Sequence, residues 1–566
     1  TKAAVLEELK VREASGINPD AFLRRKSGAT FYNSSPMDLK AVLGDAGNIG
    51  PNLTAYLQGF SPEVRDIFER FEFHAQVDRL DKAKLLYLVA EKFAGIDLHP
   101  SKVSNAQMGH VFEELIRKFA EASNETAGDH FTPREVIRLM VNLLFVEDDH
   151  ALTTPGIVRT IYDPTAGTGG MLSVAEEHLT AQNPAARLTM FGQELNPESY
   201  AICKADMLIK GQDVSQIAFG NTLSDDGHAG KMFDYMLANP PFGVEWRKVE
   251  KEVRKEHEAQ GFNGRFGPGL PRVSDGSLLF LLHMLSKMRP EAQGGCRFAI
   301  VLNGSPLFTG GAGSGESEIR RYCLENDLVE AIIALPTDMF FNTGIATYVW
   351  VLSNRKPAHR RGKLQLIDGS GFWRKMRKSL GSKRKELGET DIDILTKLFG
   401  NAEEAELATL LDANGKEVSR EVVQEGEKAP EGPAGGKVKL APLSRVFPTT
   451  AFGYRTITVE RPLRDEAGKL VLGQRGAAKG KPQADSSLRD TENVPLAEDI
   501  EAYFQREVLP HARDAWIDQA KTRQGYEIPF NRHFYVFEPP RPLAEIDADL
   551  LVVTNRIKAM IEGLAA

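Results

Sequence analysis

From Ile157 onward, short β-branched or aliphatic runs alternate with stretches whose apolar residues recur every three or four positions, the pattern of strands alternating with amphipathic helices. Strands are expected at Val158 to Tyr162, Leu188 to Gln193, Ile217 to Gly220, Tyr235 to Ala238, Arg297 to Leu302, Val329 to Ala334 and Thr347 to Leu352. Helices such as Met171 to Thr180, Pro197 to Lys210 and Leu278 to Met288 lie between them. The alternation predicts a doubly wound α/β sheet. Residues 1–127 read instead as helices separated by polar turns, with clear periodicity in Lys82 to Phe93 and Gln107 to Phe119. The sequence opens at Thr1 and runs straight into a helical pattern, so this α-helical N-terminal domain is expected to be truncated at its start. The α/β domain is expected over 128–400. Beyond it, 401–566 is polar and punctuated, with GEKAPEGPAGGK and GQRGAAKGKPQADSS reading as flexible linkers before a helical C-terminal extension at Ala497 to Gln519 and Ile546 to Ile561.

Composition narrows the class without naming it. At 566 residues, with 42% apolar and 26% charged, the chain has ordinary globular usage and room for two or three domains. A net charge of -8 argues against a nucleic-acid clamp over the whole surface, so any DNA contact must be local or supplied by a partner. Cys203, Cys296 and Cys323 form no CxxC pair, which predicts neither a metal site nor a disulfide framework and suits a reducing, cytoplasmic setting. No run is long and apolar enough for a membrane span.

Three motifs carry chemistry. The first is DPTAGTGG, Asp163 to Gly170, between an expected strand and an expected helix. Gly167, Gly169 and Gly170 allow a sharp turn and a close ligand approach, with Asp163, Ala166 and Thr168 in the same bend. No lysine follows as in a phosphate-binding loop, so the ligand is nucleoside-like rather than a triphosphate. Glu194, ending the next strand, can accept from both ribose hydroxyls. The second is NPPFG, Asn239 to Gly243, where paired prolines force the chain off a strand at the sheet edge that binds ligands. There the Asn239 side-chain carbonyl and the Pro240 main-chain carbonyl can each accept one N–H of an exocyclic amine, drawing its lone pair out of conjugation and aiming it at a sulfonium methyl. Pro241 shapes the turn, and Phe242 can stack on an extruded base. The third is GDHFTPRE, Gly128 to Glu135, where Thr132, Pro133 and Glu135 read as a capping box with proline first in the helix. Its free N–H groups suit a carboxylate, and Arg134 is either an anion partner or a solvated side chain.

In their order and spacing these motifs resemble the modification subunits of type I restriction-modification systems, N6-adenine DNA methyltransferases that place the cofactor motif before NPPF. The resemblance runs from about Leu85 to the segment Tyr526 to Asp547. It implies a Rossmann-like class I methyltransferase sheet, S-adenosylmethionine as cofactor, and a catalytic pocket at Asn239, Pro240, Pro241 and Phe242. Cofactor contacts are implied from Asp129, His130, Phe131, Thr132, Pro133 and Arg134, from Thr168, Gly169 and Gly170, and from Glu194. Asn221, Thr222 and Leu223 are implied beside the adenine ring. The implied partners are double-stranded DNA, a DNA-reading specificity subunit, a second modification subunit and a restriction subunit that joins for cleavage. Cytosine N4 presents the same amine geometry, a glutamine amide is a third planar NH2, and a non-catalytic scaffold is the reading of another class. The basic runs RKPAHRRGK, Arg355 to Lys363, and RKMRKSLGSKRK, Arg374 to Lys385, could meet phosphates or simply be solvated. The last helix carries an apolar stripe through Ile546, Leu550, Val553, Ile557 and Met560 suited to packing on a partner helix or on its own domain.

Overall fold

The computed structural model describes residues 2–98, 102–104, 107–109, 111–112, 114–116, 118, 132–146, 148–341, 343–474, 479–537 and 541–564. The chain divides into two compact units, Thr1–Ala405 with Ser444–Pro529, and Glu406–Leu443 with Phe530–Ala566.

The larger unit is built on a sheet whose strands are β1 (Val158–Asp163), β2 (Arg187–Glu194), β3 (Ile217–Phe219), β4 (Tyr235–Ala238), β5 (Arg297–Asn303), β6 (Val329–Leu335), β7 (Thr347–Ser353) and β8 (Lys363–Asp368). They lie in the order β3-β2-β1-β4-β5-β7-β6-β8. β1 to β5 pair in parallel, β7 runs antiparallel between β5 and β6, and β8 is parallel to β6. The seven expected strands all form, each within a residue or two of its expected ends. β6 and β7 are buried at every position, which is why they read as largely apolar runs, the one buried charge in β6, Glu330, being paired with Arg297. Helices Gly170–Gln182 and Pro197–Ile209 carry the crossovers from β1 to β2 and from β2 to β3. Strand order reverses between β1 and β4, so the carboxyl ends of these two strands border the crevice where open sheets of this kind bind ligands.

The N-terminal helices form a core of their own around Val42, Leu53, Leu57, Val77 and Leu86. The expected helix from Lys82 to Phe93 forms as Leu86–Ala94, starting four residues late, because Lys84 takes a left-handed φ of 55° after the preceding helix Phe73–Lys82 has ended. Gln107 to Phe119 is helical at those of its positions that are described. The expected helix from Ala497 to Gln519 is likewise replaced. Ile500–Tyr503 runs into a wide turn at Phe504–Val508, and the chain returns as the strand Trp516–Ile517. Pro510, two residues past that turn, cannot donate to a continuing helix. This strand joins Gly453–Glu460, Asp490–Pro495 and Arg523–Tyr526 in a second sheet over Ile457, Val459, Val494 and Phe504.

The smaller unit has a modest core of Ala408, Leu410 and Val423, the loop expected at GEKAPEGPAGGK, and the helix Leu543–Leu564, whose apolar stripe is exposed. Among the described residues no helix is long and apolar enough to cross a membrane, and no group of three or more His, Cys, Asp or Glu side chains could hold a metal.

Candidate active site

Four strand ends converge on one cavity of about 1140 Å³. Asp163 closes β1, Glu194 closes β2, Asn221 follows β3 and Asn239 follows β4. The cavity is lined by Thr132, Pro133, Arg134, Asp163, Ala166, Gly167, Thr168, Gly170, Glu194, Asn221, Thr222, Leu223, Asn239 and Pro241. Three expected residues, Asp129, His130 and Phe131, lie outside the described residues. Gly169, Pro240 and Phe242 stand beside the lining rather than in it.

The glycine bend is held from both strands. The Gly167 N–H donates to Glu194 Oε2 at 2.8 Å, and the Asn196 N–H donates to Oε1 at 2.7 Å, so the carboxylate is fixed by main chain on both oxygens. Each oxygen keeps a lone pair for a ligand. Asn196 also caps the helix Pro197–Ile209 through the Glu198 and Ser199 N–H groups. Gly169 sits at φ 81°, and a Cβ there would stand 2.7 Å from Cys203 Sγ. Gly169→Ala therefore combines a left-handed penalty with a clash, and should cost about 2–4 kcal/mol of stability in urea titration. Gly170, by contrast, has room: a Cβ there would meet Ile137 Cδ1 at an ordinary van der Waals distance of 3.5 Å.

Asp163 is fully buried and accepts from the Thr165 N–H at 2.9 Å. Burial, reinforced by the nearby Glu194 charge, pushes its carboxyl up to about 7.

The third motif behaves differently from its expected capping box. Pro133 occupies the cap position of the helix Arg134–Phe145 with no side-chain cap bond. Thr132 Oγ1 instead accepts from Asn239 Nδ2 at 2.9 Å, and Glu135 pairs with Lys383. Arg134 is half exposed and lies 3.7 Å from the Glu177 carboxylate. With its amide nitrogen engaged, Asn239 leaves Oδ1 buried and without a hydrogen-bond partner among the described residues. No described residue donates to the Pro240 carbonyl either. A buried, unsatisfied acceptor costs about 1–3 kcal/mol and in a native fold calls for a reason. Phe242 is half-buried, its ring edge-on to Phe340 at 5.8 Å.

The opposite wall is one the motifs do not announce. Val244, Trp246, Val249, Gly276 and Phe280 line it, and Trp246 is locked by its N–H bonds to Arg272 O and Val273 O. Behind it, Arg265 donates to Thr222 O at 2.7 Å and Leu223 O at 2.9 Å while its fork grips Glu256. Arg265 also meets His283 Nδ1 at 3.2 Å, and because arginine only donates, that nitrogen must accept. The proton then sits on Nε2, which donates to Tyr162 OH at 3.1 Å. This clamp fixes the turn in which Asn221 Oδ1 accepts from the Leu223 N–H. Nothing in the local sequence around Arg265 signals the role, since the two carbonyls it holds lie more than forty residues upstream.

Residues 103–428 match the N-6 DNA Methylase family. The chain is 25% identical over 319 residues to the type I restriction enzyme MjaIX methylase subunit of Methanocaldococcus jannaschii, covering 56% of this chain and 53% of that one. It is 31% identical over 267 residues to the HindI methylase subunit of Haemophilus influenzae, covering 46% and 54%. The chain thus spans about half the length of the curated relatives it matches. In fold it resembles the crystal structure of a type I restriction-modification methyltransferase subunit from Streptococcus thermophilus, with a TM-score of 0.53 at 22% identity, over 68% of this chain and 78% of that one. The matched span takes in the glycine bend, the strand-end carboxylates and NPPF, and the chain belongs to the N-6 DNA methylase family.

Proposed function

We propose that the chain transfers a methyl group from S-adenosylmethionine to adenine N6 in double-stranded DNA, as the modification subunit of a type I restriction-modification complex. One observation carries the reading: an asparagine carbonyl that is buried and has no hydrogen-bond partner among the described residues, on the lining of a cavity of about 1140 Å³ and next in sequence to a Pro240 carbonyl that no described residue engages. Two acceptors side by side, with no general base attached, suit an amine that must present both N–H groups and surrender its lone pair.

The cavity fits the cofactor chemically. Glu194 has an acceptor left on each oxygen for ribose hydroxyls, Gly167 to Gly170 leave the bend open, the Arg265 clamp sets Asn221 to Leu223 for an adenine edge, and Asp163 offers charge to a cation. The segment 129–134 would complete the methionine side. When bound, S-adenosylmethionine supplies an electrophilic methyl on a sulfonium. The chain's own work is then orientation: Thr132 holds the Asn239 amide, Asn239 Oδ1 and Pro240 O hold the amine, and Phe242 stacks the flipped base at the mouth. Stacking of about 1–3 kcal/mol offsets part of the unpairing cost.

Under this reading the partners are a specificity subunit, a second modification subunit and a restriction subunit, and the setting is the cytoplasm, in keeping with three buried, unbonded cysteines. The test is methylome sequencing of a host expressing the chain with a cognate specificity subunit. N6-methyladenine at one defined motif is expected; N4-methylcytosine, or no mark from an assembled complex, would refute the assignment.

A further inference from the structure

The two basic runs look alike in sequence, yet the fold uses them in opposite ways. In 355–363 three of the cations are drawn into the fold, while Arg361 and Lys363 stay exposed. Arg355 pairs with Asp148 at 2.7 Å, Lys356 with Asp327 at 2.6 Å, and the buried Arg360 lies over the Phe399 ring while bonding Gln365. These charges are consumed by the fold.

In 374–385 most of them face outward, Lys383 alone being buried. Arg374–Leu380 and Lys383–Glu386 form a two-stranded antiparallel ribbon joined by the turn Gly381-Ser382. Lys375, Arg377, Lys378 and Arg384 are exposed and, among the described residues, have no carboxylate partner. Lys375 stands directly across the ribbon from Lys385, a like-charge pairing that costs folding energy. Lys385 is partly relieved by Trp373, 4.4 Å away, and by Asp338, but Lys375 is not.

The ribbon is also bolted to the mouth of the cavity. The Ser382 N–H donates to the carbonyl of Phe341, whose residue lines the cavity, and the Arg384 N–H donates to Asp338 O, both at 2.9 Å. Lys383 is buried and reaches the Glu135 carboxylate on the helix whose first residues line the same cavity. Rigid anchorage on one side and bare cations on the other is the arrangement of a surface built for a polyanion.

We propose that this ribbon grips the phosphate backbone of the DNA duplex beside the base being methylated. The proposal rests on the DNA methylation reading and adds the surface by which this chain, acidic overall, holds its substrate. Phosphates rather than base edges are the partner because contacts of this kind position the duplex without reading sequence.

The experiment measures binding of the full chain to a short labelled duplex of arbitrary sequence across a salt series. The variant K375Q/R377Q/K378Q/R384Q should make the slope of log K against log salt shallower by about 3–4 and weaken binding at least tenfold near physiological salt. Its melting temperature should match or slightly exceed wild type, its affinity for S-adenosylhomocysteine should be unchanged, and its loss of methylation should fall on KM for DNA. Were the quadruple variant to melt early, R377Q and K378Q singly should each reduce the slope by about 1. Unchanged slope and affinity in folded variants overturn the proposal, even where wild type methylates normally. A wild-type chain that binds DNA through the ribbon but never methylates it, with its specificity partner present, supports the ribbon and refutes the catalytic reading instead.

Discussion

Asn239→Ala is expected to slow methyl transfer by about 10²–10³-fold in single-turnover assays with tritiated S-adenosylmethionine, the scale seen when one preorganised polar contact to a reacting group is removed. Binding of S-adenosylhomocysteine should stay near wild type, because in the proposed function the cofactor contacts fall to Glu194, Asp163 and the glycine bend. The folded state should lose little. Alanine gives up the bond from Asn239 Nδ2 to Thr132 Oγ1 but also removes the buried Oδ1, which has no partner among the described residues. A bond worth about 0.5–1.5 kcal/mol is set against a desolvation cost of about 1–3 kcal/mol, so stability should be unchanged or slightly higher. A residue whose removal spares the fold and abolishes the reaction is kept for the reaction. Thr132→Val sharpens the point: it keeps Oδ1 but frees the amide to rotate, and should lower kcat by a smaller factor without raising KM for the cofactor. Equal counts from wild type and Asn239→Ala would remove the catalytic assignment.

Asp163→Asn should separate stability from binding with a sign set by pH. The Asp163 carboxyl is pushed up to about 7 in the fold, against about 3.9 in an unfolded chain. The native state therefore holds this proton more tightly. The stability it contributes is complete below about pH 4 and is lost as pH rises through 7, where an ionised group is left buried near Glu194. Above that pH the neutral asparagine should stabilise the ligand-free protein by a few kcal/mol, since each tenfold difference in proton affinity between folded and unfolded chain is worth about 1.4 kcal/mol. Binding should move the other way. Wild-type affinity for S-adenosylmethionine should strengthen from about pH 6 to about pH 8 as the carboxylate forms. The variant should bind about 10–100-fold more weakly with a flatter profile, the loss of one or two contacts' worth of affinity. Thermal melts of the ligand-free proteins and calorimetry across that range test both halves. A variant that melts below wild type at the alkaline end, or binds as tightly, would show that this carboxylate does not serve a cation.

The sheet was legible where burial and polarity coincide. β6 and β7, buried at every position, are largely apolar runs. β8 escaped the pattern because Gln365 is buried in its middle, satisfied by Leu398 O and Ser444 Oγ in a way only the folded chain reveals. Strands beyond residue 400, such as Glu417–Gln424, alternate exposed charges and read as linker. In the site, residues that a motif carries at a strand end could be found, because the parallel sheet brings its carboxyl edges together whatever the connections do. The far wall could not: Trp246 and Arg265 owe their places to tertiary contacts. Thr132 shows the remaining kind of error, since a threonine before proline and glutamate reads as a cap until Asn239, more than a hundred residues away, is seen to claim its hydroxyl.

The most direct test is a structure of the complex with a cofactor analogue and target duplex, read at one contact. An adenine N6 within about 3 Å of Asn239 Oδ1, with Glu194 on the analogue's ribose, is the predicted result. An empty space between Asn239 and any base, or a glycine bend closed over packed side chains with the analogue elsewhere, would contradict the account.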